Sequence, residues 1–273
     1  MAHPNHLHPR LAPPRHQNPP VTSARPESTV TDVSTDMAVR AAAFAMEHLA
    51  EDISVADIAD HLGYSPFHFN RTFAAAMHTP PGRFLAALRF HAAKNLLLTG
   101  NDAVVDVCTQ VGFTSVSSFS RRFREAVGTS PAALRTLADQ VADCSPAPFS
   151  IGNPKAAHAT IDIESPPAGL RLPPLMWIGW FPTPAPIGLP RAGVLCRGKQ
   201  RICLPLCAGA PWLLGFSVDA AAEVVDHLAP SAPVVASHST PVTTAQHITL
   251  TFGPAPQPSV PMLAALPALA PPH

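Results

Sequence analysis

Charge, cysteine and long apolar runs are all scarce in this sequence of 273 residues. Charged residues make up 13% of the chain and the formal net charge is zero, so overall charge does not indicate a nucleic-acid partner. The five cysteines are odd in number and widely spread, which disfavours a disulfide framework and is typical of the reducing cytoplasm. The N-terminus lacks the apolar segment of a secretory signal. No uninterrupted apolar run reaches the roughly 18 residues of a membrane span, so we expect none.

Proline is abundant but unevenly placed. Of the 34 prolines, only Pro66, Pro80, Pro81 and Pro131 lie between residues 37 and 142. A chain of this length suffices for about two domains, and the contrast predicts one helical domain flanked by other material. The predicted division is a disordered Pro- and His-rich tail over 1–36, a helical domain over 37–142, a linker over 143–157, a β-rich domain over 158–254 and a Pro-rich tail over 255–273.

Helix-start signals recur through the helical domain. Apolar residues from Met37 onward follow an amphipathic helical spacing. Ser54 is a suitable N-cap with Asp57 three residues later. Ser or Thr followed by Pro marks further starts at Pro66, Pro80 and Pro131. Together these signals predict an all-α domain of about seven helices.

An internal repeat carries the functional argument. The segment VADIADHLGYSPFHFNRTF (55–73) matches VDVCTQVGFTSVSSFSRRF (105–123) with an offset of 49 before the turn and 50 after it. Each copy has a helix, a Gly-aromatic turn and a second helix. A repeat of this kind is typical of two helix-turn-helix units.

The second helix of each unit has an apolar and a polar face. Phe69 and Phe73 are predicted to face the core of the first unit, as Phe119 and Phe123 do in the second. The polar faces contain arginine and asparagine, which can donate paired hydrogen bonds to guanine and adenine in a major groove. Ordinary solvated faces are the alternative, and the repeat favours recognition helices. The outward positions are Phe67, Asn70 and Arg71 in the first unit and Ser117, Ser120, Arg121 and Arg124 in the second.

Charge is also asymmetric along this domain. Residues 37–65 contain one Arg against five Asp and Glu, whereas residues 66–135 contain eight Lys and Arg against three Asp and Glu. We therefore expect the cations to cluster where DNA phosphates would lie. The helix between the units would span about 28 Å, close to the ~34 Å between successive major-groove faces. A single chain could then contact two adjacent grooves.

Three sequence runs resemble the DNA-binding domain of the AraC/XylS family of bacterial regulators. They are ISVADIADHLGYSPFHFNRTF, PPGRFLAALRFHAAKNLLL and VVDVCTQVGFTSVSSFSRRFREAVGTSPAALR. The resemblance implies a sequence-specific DNA-binding transcription regulator, usually an activator, that is not an enzyme and needs no cofactor. It implies double-stranded DNA and RNA polymerase as partners and leaves open a small-molecule effector and a homodimer. The base-contacting positions that it implies are Phe67, Asn70, Arg71, Val116, Ser117, Ser120 and Arg121.

Val116 on the outer face of the second unit is less polar than the residue in many family members, so we expect either a contact with a thymine methyl group or a second unit that mainly contacts the DNA backbone. Two further positions depart from the family pattern. His78 stands where the family usually has a helix-ending glycine, so we expect a strained or differently capped turn there. Cys108 replaces a usual small alanine, and we interpret it as a core residue rather than a redox sensor.

The C-terminal third contains six short apolar runs separated by Pro and Gly, which predict a small antiparallel β-sandwich. The runs are ATIDIE (159–164), LMWIGWF (175–181), GVLCR (193–197), RICLPL (201–206), PWLLGFSV (211–218) and HITLTF (247–252). The segment WIGWFPTPAPIGLPRAGVLC and the closing PMLAALPAL are similar to a prealbumin-like domain of some actinobacterial regulators. We expect an effector-sensing or self-association domain. The alternative function is a metal- or thiol-based sensor that uses Cys203, Cys207 and nearby histidines. The overall fold class predicted is multi-domain α and β.

Overall fold

Seven helices follow one another between residues 27 and 143. The computed structural model describes Met1 and residues 27–143, 146–164, 173–219, 221–231 and 233–270, with the backbone alone for residues 27–32. The predicted helical domain with its about seven helices is confirmed. The helices are α1 (Glu27–Glu47), α2 (Val55–His61), α3 (Pro66–Met77), α4 (Pro81–Thr99), α5 (Val104–Gln110), α6 (Val116–Val127) and α7 (Pro131–Asp143).

Side-chain caps explain where three of these helices begin. The Asp57 backbone N–H donates to Ser54 Oγ at 3.3 Å, and the Ser54 N–H donates to Asp57 Oδ2 at 2.7 Å. The hydrogen bonds from Ser54 also lower the pKa of the Asp57 carboxyl. Ser65 and Ser115 accept from the backbone N–H three residues further on and so cap α3 and α6. Each cap pairs an N–H group that has no partner within its helix.

The starts of α1 and α4 differ from the prediction. α1 begins at Glu27, inside the segment predicted as a disordered tail, because no proline interrupts the chain between Pro26 and Pro66. The rest of that predicted tail, residues 2–26, lies outside the described residues. α4 begins at Pro81, with Pro80 rather than Thr79 at the cap position.

In the part of the chain after residue 143 that the structure describes, nine strands and one further helix form a two-sheet β-sandwich. Strands over the six segments predicted from the sequence are confirmed, whereas β1, β7, β9 and helix α8 were not predicted. The elements are β1 (Phe149–Ile151), β2 (His158–Glu164), β3 (Leu175–Phe181), β4 (Ala192–Arg197), β5 (Arg201–Pro205), β6 (Trp212–Val218), α8 (Val224–Leu228), β7 (Val234–Ser237), β8 (His247–Thr251) and β9 (Gly253–Pro254).

The larger sheet has the strand order β1-β4-β3-β6-β7-β9 and is antiparallel throughout. The smaller sheet has the order β5-β2-β8, and its β2–β8 pair is parallel. The predicted antiparallel β-sandwich is confirmed, and the β2–β8 pair is its parallel exception. The long chain segment between β2 and β8 supplies the crossover that a parallel pair requires.

The apolar residues of the larger sheet divide between two cores. Met176, Ile178 and Trp180 of β3 face the smaller sheet and form the core of the sandwich. Trp177 and Phe181 of the same strand belong to a second cluster on the opposite face. Because side chains alternate along a strand, β3 has buried side chains on both faces. The second face is covered by residues near position 262.

The residues that cover this second face were predicted to belong to a Pro-rich tail. Residues 260–265, here called the C-terminal strap, have no regular secondary structure and are packed between the β-sandwich and the helices. Met262 and Ala264 pack on the second face of the larger sheet, whereas Leu263 and Ala265 lie in the core shared by α4, α5, α6 and α7. A short 3-10 helix, Leu266–Leu269, follows the strap.

The predicted linker 143–157 was also too long, because it contains β1. Phe149 of β1 packs its ring at 5.8 Å from the ring of Trp177. Across the described residues, no helix combines the length and the apolar composition needed to cross a membrane.

Candidate nucleic-acid interface

Two bihelical units, α2–α3 and α5–α6, have the same turn. Gly63 and Gly112 are left-handed at φ 74° and 76°. The aromatic residue that follows each glycine donates its backbone N–H to a carbonyl of the preceding helix, Tyr64 to Ala59 O at 2.9 Å and Phe113 to Cys108 O at 3.0 Å. The repeat found in the sequence is therefore a repeat of backbone geometry.

The second helix of each unit is held by a pair of phenylalanines one turn apart. Phe69 and Phe73 of α3 are fully buried with ring centroids 5.5 Å apart. Phe119 and Phe123 of α6 are buried in the same way at 5.6 Å. These pairs fix which face of α3 and α6 is turned away from the core.

The predicted contact residues of α3 lie on that outer face. Phe67, Asn70 and Arg71 are all exposed, and the ring of Phe67 is 78% exposed. The Arg71 guanidinium lies 5.9 Å from the Phe67 ring centroid, within cation–π range. The Asn70 side-chain amide donates to Pro66 O of its own helix at 2.8 Å. This bond uses one of the two amide N–H groups, which leaves the other N–H and Oδ1 for an external partner.

The predicted residues of α6 share the corresponding face. Val116, Ser117, Arg121 and Arg124 are exposed, while Ser120 is half-buried. In the free protein Arg121 Nη1 forms a 3.3 Å ion pair with Glu125, which is also exposed. Exposed pairs of this kind are weak, so a base or a phosphate can displace Glu125.

Of the eight cations counted in residues 66–135, three are not available to DNA. Lys94 is completely buried and donates from Nζ to Leu263 O at 2.9 Å. Arg89 and Arg135 are half-buried and donate to backbone carbonyls. The expectation that all of these cations cluster near phosphates was therefore wrong for these three. The exposed cations of the segment are Arg71, Arg83, Arg121, Arg122 and Arg124.

Arg89 of α4 positions the first unit. Its guanidinium donates to the carbonyl oxygens of Leu49, Glu51 and Ile53 in the connection between α1 and α2, at 3.3, 2.8 and 3.3 Å. It also lies 6.0 Å from the Phe113 ring centroid in the second unit. Arg89 therefore links the two units and satisfies carbonyls at the end of α1.

Arg135 of α7 has the same role in the second unit. It donates to the carbonyl oxygens of Leu97, in the last turn of α4, and of Gly100 and Asp102, in the connection between α4 and α5. Our sequence analysis missed both arginines as positioning residues. A signal was present, because the tetrapeptide Ala-Ala-Leu-Arg ends at Arg89 and again at Arg135.

The departures from the family pattern at His78 and Cys108 have structural explanations. His78 is left-handed at φ 52° and ends α3 as a glycine would. Cys108 is buried, and its Sγ lies 3.6 Å from Phe113 O. Burial raises the pKa of the Cys108 thiol, which disfavours the reactive thiolate. Both observations agree with the sequence-based expectations.

The side chains named for the alternative sensor function have other surroundings. His247 Nε2 lies 2.6 Å from Asp162 Oδ2, and His238 Nε2 lies 3.2 Å from Thr240 Oγ1. Within the described ranges, no three His, Cys, Asp or Glu side chains come close enough to hold a metal ion. Nothing in the β-sandwich therefore favours the sensor function.

Comparison with known proteins places the helical part in a known family of domains. A family model described as a helix-turn-helix domain matches residues 38–136. The HTH-type transcriptional activator AarP of Providencia stuartii is 34% identical over 88 residues, which are 32% of this chain and 65% of AarP. The bifunctional transcriptional activator/DNA repair enzyme AdaA of Bacillus subtilis (strain 168) is 26% identical over 118 residues, which are 43% of this chain and 53% of AdaA. The chain thus spans less than two thirds of either relative.

Solved structures match over the same share of the chain. The DNA-binding domain of AdpA, described in complex with a target DNA, is 30% identical, with a TM-score of 0.38 over 40% of this chain and 97% of that domain. An AraC-type regulator from Chromobacterium violaceum is 24% identical, with a TM-score of 0.38 over 42% of this chain and 99% of its own.

Proposed function

We propose that this chain is a sequence-specific DNA-binding transcription regulator of the AraC/XylS type, since a helix-turn-helix domain model matches residues 38–136. In this proposal α3 and α6 enter two adjacent major grooves of one duplex. The observation that carries it is the pair of exposed arginines, Arg71 and Arg121, at equivalent positions of two helices that are anchored by the same buried phenylalanine pairs.

The length of α4 supports simultaneous binding by the two units. Its 19 residues span about 28 Å at 1.5 Å per residue. Successive major-groove faces lie ~34 Å apart on one side of the duplex. A modest bend of the DNA closes the difference, and pyrimidine–purine steps allow such bends at low energetic cost.

The proposed contacts divide between the bases and the backbone. Asn70, Arg71 and Arg121 have the side chains for paired hydrogen bonds to adenine or guanine. Phe67 and Val116 offer apolar contacts for a thymine methyl group. We assign phosphate contacts to Arg124, while Ser117 and Ser120 contribute hydroxyl groups close to the same bases.

Other partners follow from the relatives rather than from geometry. AarP and AdaA are both named transcriptional activators, and contact with RNA polymerase is the corresponding proposal for this chain. We assign effector binding or self-association as a homodimer to the β-sandwich. The cytoplasm is the proposed location, since a regulator of this kind acts on chromosomal DNA.

Fluorescence anisotropy with operator DNA tests the assignment of Arg71 and Arg121. Operator fragments would first be selected by footprinting the purified full chain on genomic DNA. Arg71→Ala and Arg121→Ala should each weaken operator binding by about 1–3 kcal/mol and relax the preference at the contacted base pair. Arg40→Ala, which changes an exposed arginine of α1, is the matched control and should bind as the parent protein does.

Random DNA separates the two roles that an arginine can have. An equal loss on operator and random DNA would reassign that arginine to the backbone, because phosphate contacts weaken binding uniformly across sequences. Failure of the parent chain to prefer any sequence would overturn the proposed function.

A further inference from the structure

The C-terminal turns of α3 and α6 both face the β-sandwich, but only the second is tightly packed against it. Gly128 ends α6, and a Cβ at this position would lie 3.2 Å from Leu269 Cδ2 and 3.3 Å from Leu189 Cδ2. The N–H of Ala265 in the C-terminal strap donates to Val127 O at 2.9 Å. The second unit is therefore held directly by the β-sandwich and its strap.

The equivalent turn of the first unit borders a cavity instead. His78 precedes Gly128 by 50 positions, the same offset that relates α3 to α6. Beside it lies a cavity of about 230 Å³, with Ala76 and Met77 of α3 on one wall. Phe216 of β6 and Val260 of the strap line the other walls. The cavity thus lies where the second unit has close side-chain packing.

The chemistry of the cavity wall restricts what can bind there. Among the described residues that line it, none is Asp, Glu, Lys or Arg. The apolar surface comes from residues such as Met77, Phe216 and Met262, whereas His78, Ser237 and Ser259 offer hydrogen-bonding groups. A charged ligand would lose its hydration without gaining a partner. A neutral and mainly apolar ligand with one or two polar groups meets no such cost.

The size of the cavity restricts the ligand further. Pockets for drug-sized ligands occupy roughly 300–1,000 Å³, and this cavity of about 230 Å³ is smaller. It matches a molecule of one or two rings.

We propose that this cavity is the binding site for a small, neutral, mainly apolar effector, and that the bound molecule fixes the first unit against the β-sandwich as Leu189 and Leu269 already fix the second. The consequence for DNA rests on the function proposed above, while ligand binding itself does not. Without the ligand, the C-terminal turn of α3 lacks the side-chain packing that Leu189 and Leu269 give to the end of α6, so α3 is the less restrained of the two recognition helices. With the ligand bound, both α3 and α6 are held against the β-sandwich in a fixed relative position.

Titration of the full chain with 1-naphthylamine, a neutral two-ring fluorophore, tests the site. Saturable binding of one molecule per chain is the expected result. Ala76→Phe places a ring inside the cavity and should weaken binding by roughly tenfold or more, because ring and ligand compete for the same volume. Ala75→Phe is the matched control, since Ala75 is exposed on the same helix and does not line the cavity. Naphthalene-1-sulfonate, the charged analogue, should bind more weakly than the amine.

Cooperative unfolding of Ala76→Phe would show that this variant is properly folded. If it is not, Ser259→Phe takes its place in the test, because it fills the cavity from the opposite wall. The proposal is overturned if the parent chain shows no saturable binding, or if the folded cavity-filling variants bind as Ala75→Phe does.

Hydrogen exchange distinguishes failure of this inference from failure of the proposed function. Saturating 1-naphthylamine should slow exchange of the α3 amides and leave those of α6 unchanged, because α6 is already held. This readout needs no DNA, so it stands even if the chain has no operator. Slowing in α6 alone, or in neither helix, would refute the coupling. Operator affinity with and without the fluorophore then measures the consequence for DNA.

Discussion

His78 and Gly128 end equivalent helices with different residues at the same backbone conformation. Both are left-handed, at φ 52° and 91°. A side chain in this region costs roughly 1–2 kcal/mol because its Cβ approaches the following carbonyl oxygen. Glycine avoids this cost, although its freedom in the unfolded chain offsets part of the gain.

His78→Gly should therefore raise the free energy of unfolding, by up to about 1 kcal/mol. Gly128→Ala should lower it by about 1–2 kcal/mol, since the new Cβ is strained and also crowds Leu189 and Leu269. Urea denaturation followed by circular dichroism measures both changes. Effects of the same sign at the two positions would show that the left-handed strain is not the deciding factor.

The helices of each unit are positioned by one arginine from the helix that follows the unit. Arg89 binds the connection before α2, and Arg135 binds the connection before α5, each through three carbonyl oxygens. Each of the two bihelical units therefore has its own positioning arginine. It gives each unit a fixed first helix, against which the recognition helix packs.

Arg89→Met keeps most of the aliphatic side chain but removes the guanidinium. We expect the free energy of unfolding to fall by about 2 kcal/mol, since hydrogen bonds to charged donors contribute about 1.5–3 kcal/mol. Arg83→Met, at an exposed position of the same helix, should change it by less than about 0.5 kcal/mol. Chemical denaturation compares the two variants, and equal losses would remove the positioning role from Arg89.

At the scale of the whole molecule, the C-terminal strap joins the β-sandwich to the helical domain. Leu263 is buried among residues of α4, α5, α6 and α7, and its neighbours Met262 and Ala264 pack on the larger sheet. The core of the second unit is thus completed by residues far along the chain. We expect the two parts to unfold together.

Leu263→Ala should destabilise the full chain by about 2–4 kcal/mol, because it leaves a cavity in that core. The exposed Val105 of α5 provides the control, and Val105→Ala should have an effect within about 0.5 kcal/mol. Differential scanning calorimetry reports both changes. A loss confined to a β-sandwich transition, with the helical transition unaltered, would refute the shared core.

Lys94 gives the same interface a pH dependence. Burial lowers the pKa of Lys94 from its ordinary value of 10.5 to about 7. Burial also lowers the pKa of the neighbouring His91, to about 4, so His91 is uncharged near pH 7. Between pH 7 and pH 10.5, Lys94 is protonated in the unfolded chain but not in the folded one, so the free energy of unfolding rises with pH. Below pH 7 both states are protonated and this contribution is constant.

Unfolding measured from pH 6 to pH 10 should therefore show a stabilisation of the parent chain that Lys94→Met lacks. As the pH rises above about 7, the free energy of unfolding should increase more for the parent chain than for Lys94→Met. Parallel curves for the two proteins would mean that Lys94 does not change its charge in the folded state.

Local patterns in the sequence were sufficient for the helical domain and for the faces of its recognition helices. The caps at Ser54 and Ser65, the phenylalanine spacing and the Gly-aromatic turns all act within a few residues, so the chain alone specifies them. The positions of Arg71 and Arg121 followed from the same spacing. Which bases they contact stays a prediction, since it depends on a partner outside the chain.

Only the tertiary structure decided which polar and apolar residues lie inside. From the sequence, Lys94 was expected to contact DNA phosphates. In the structure it is buried and donates to the carbonyl oxygens of Met262 and Leu263 in the strap, which lie 168 and 169 positions further along the chain. The parallel β2–β8 pair, the docking of the Pro-rich end and the cavity beside His78 likewise join segments that are distant along the chain. Periodicity describes a residue's neighbours along its own element, whereas burial at these places depends on packing between elements.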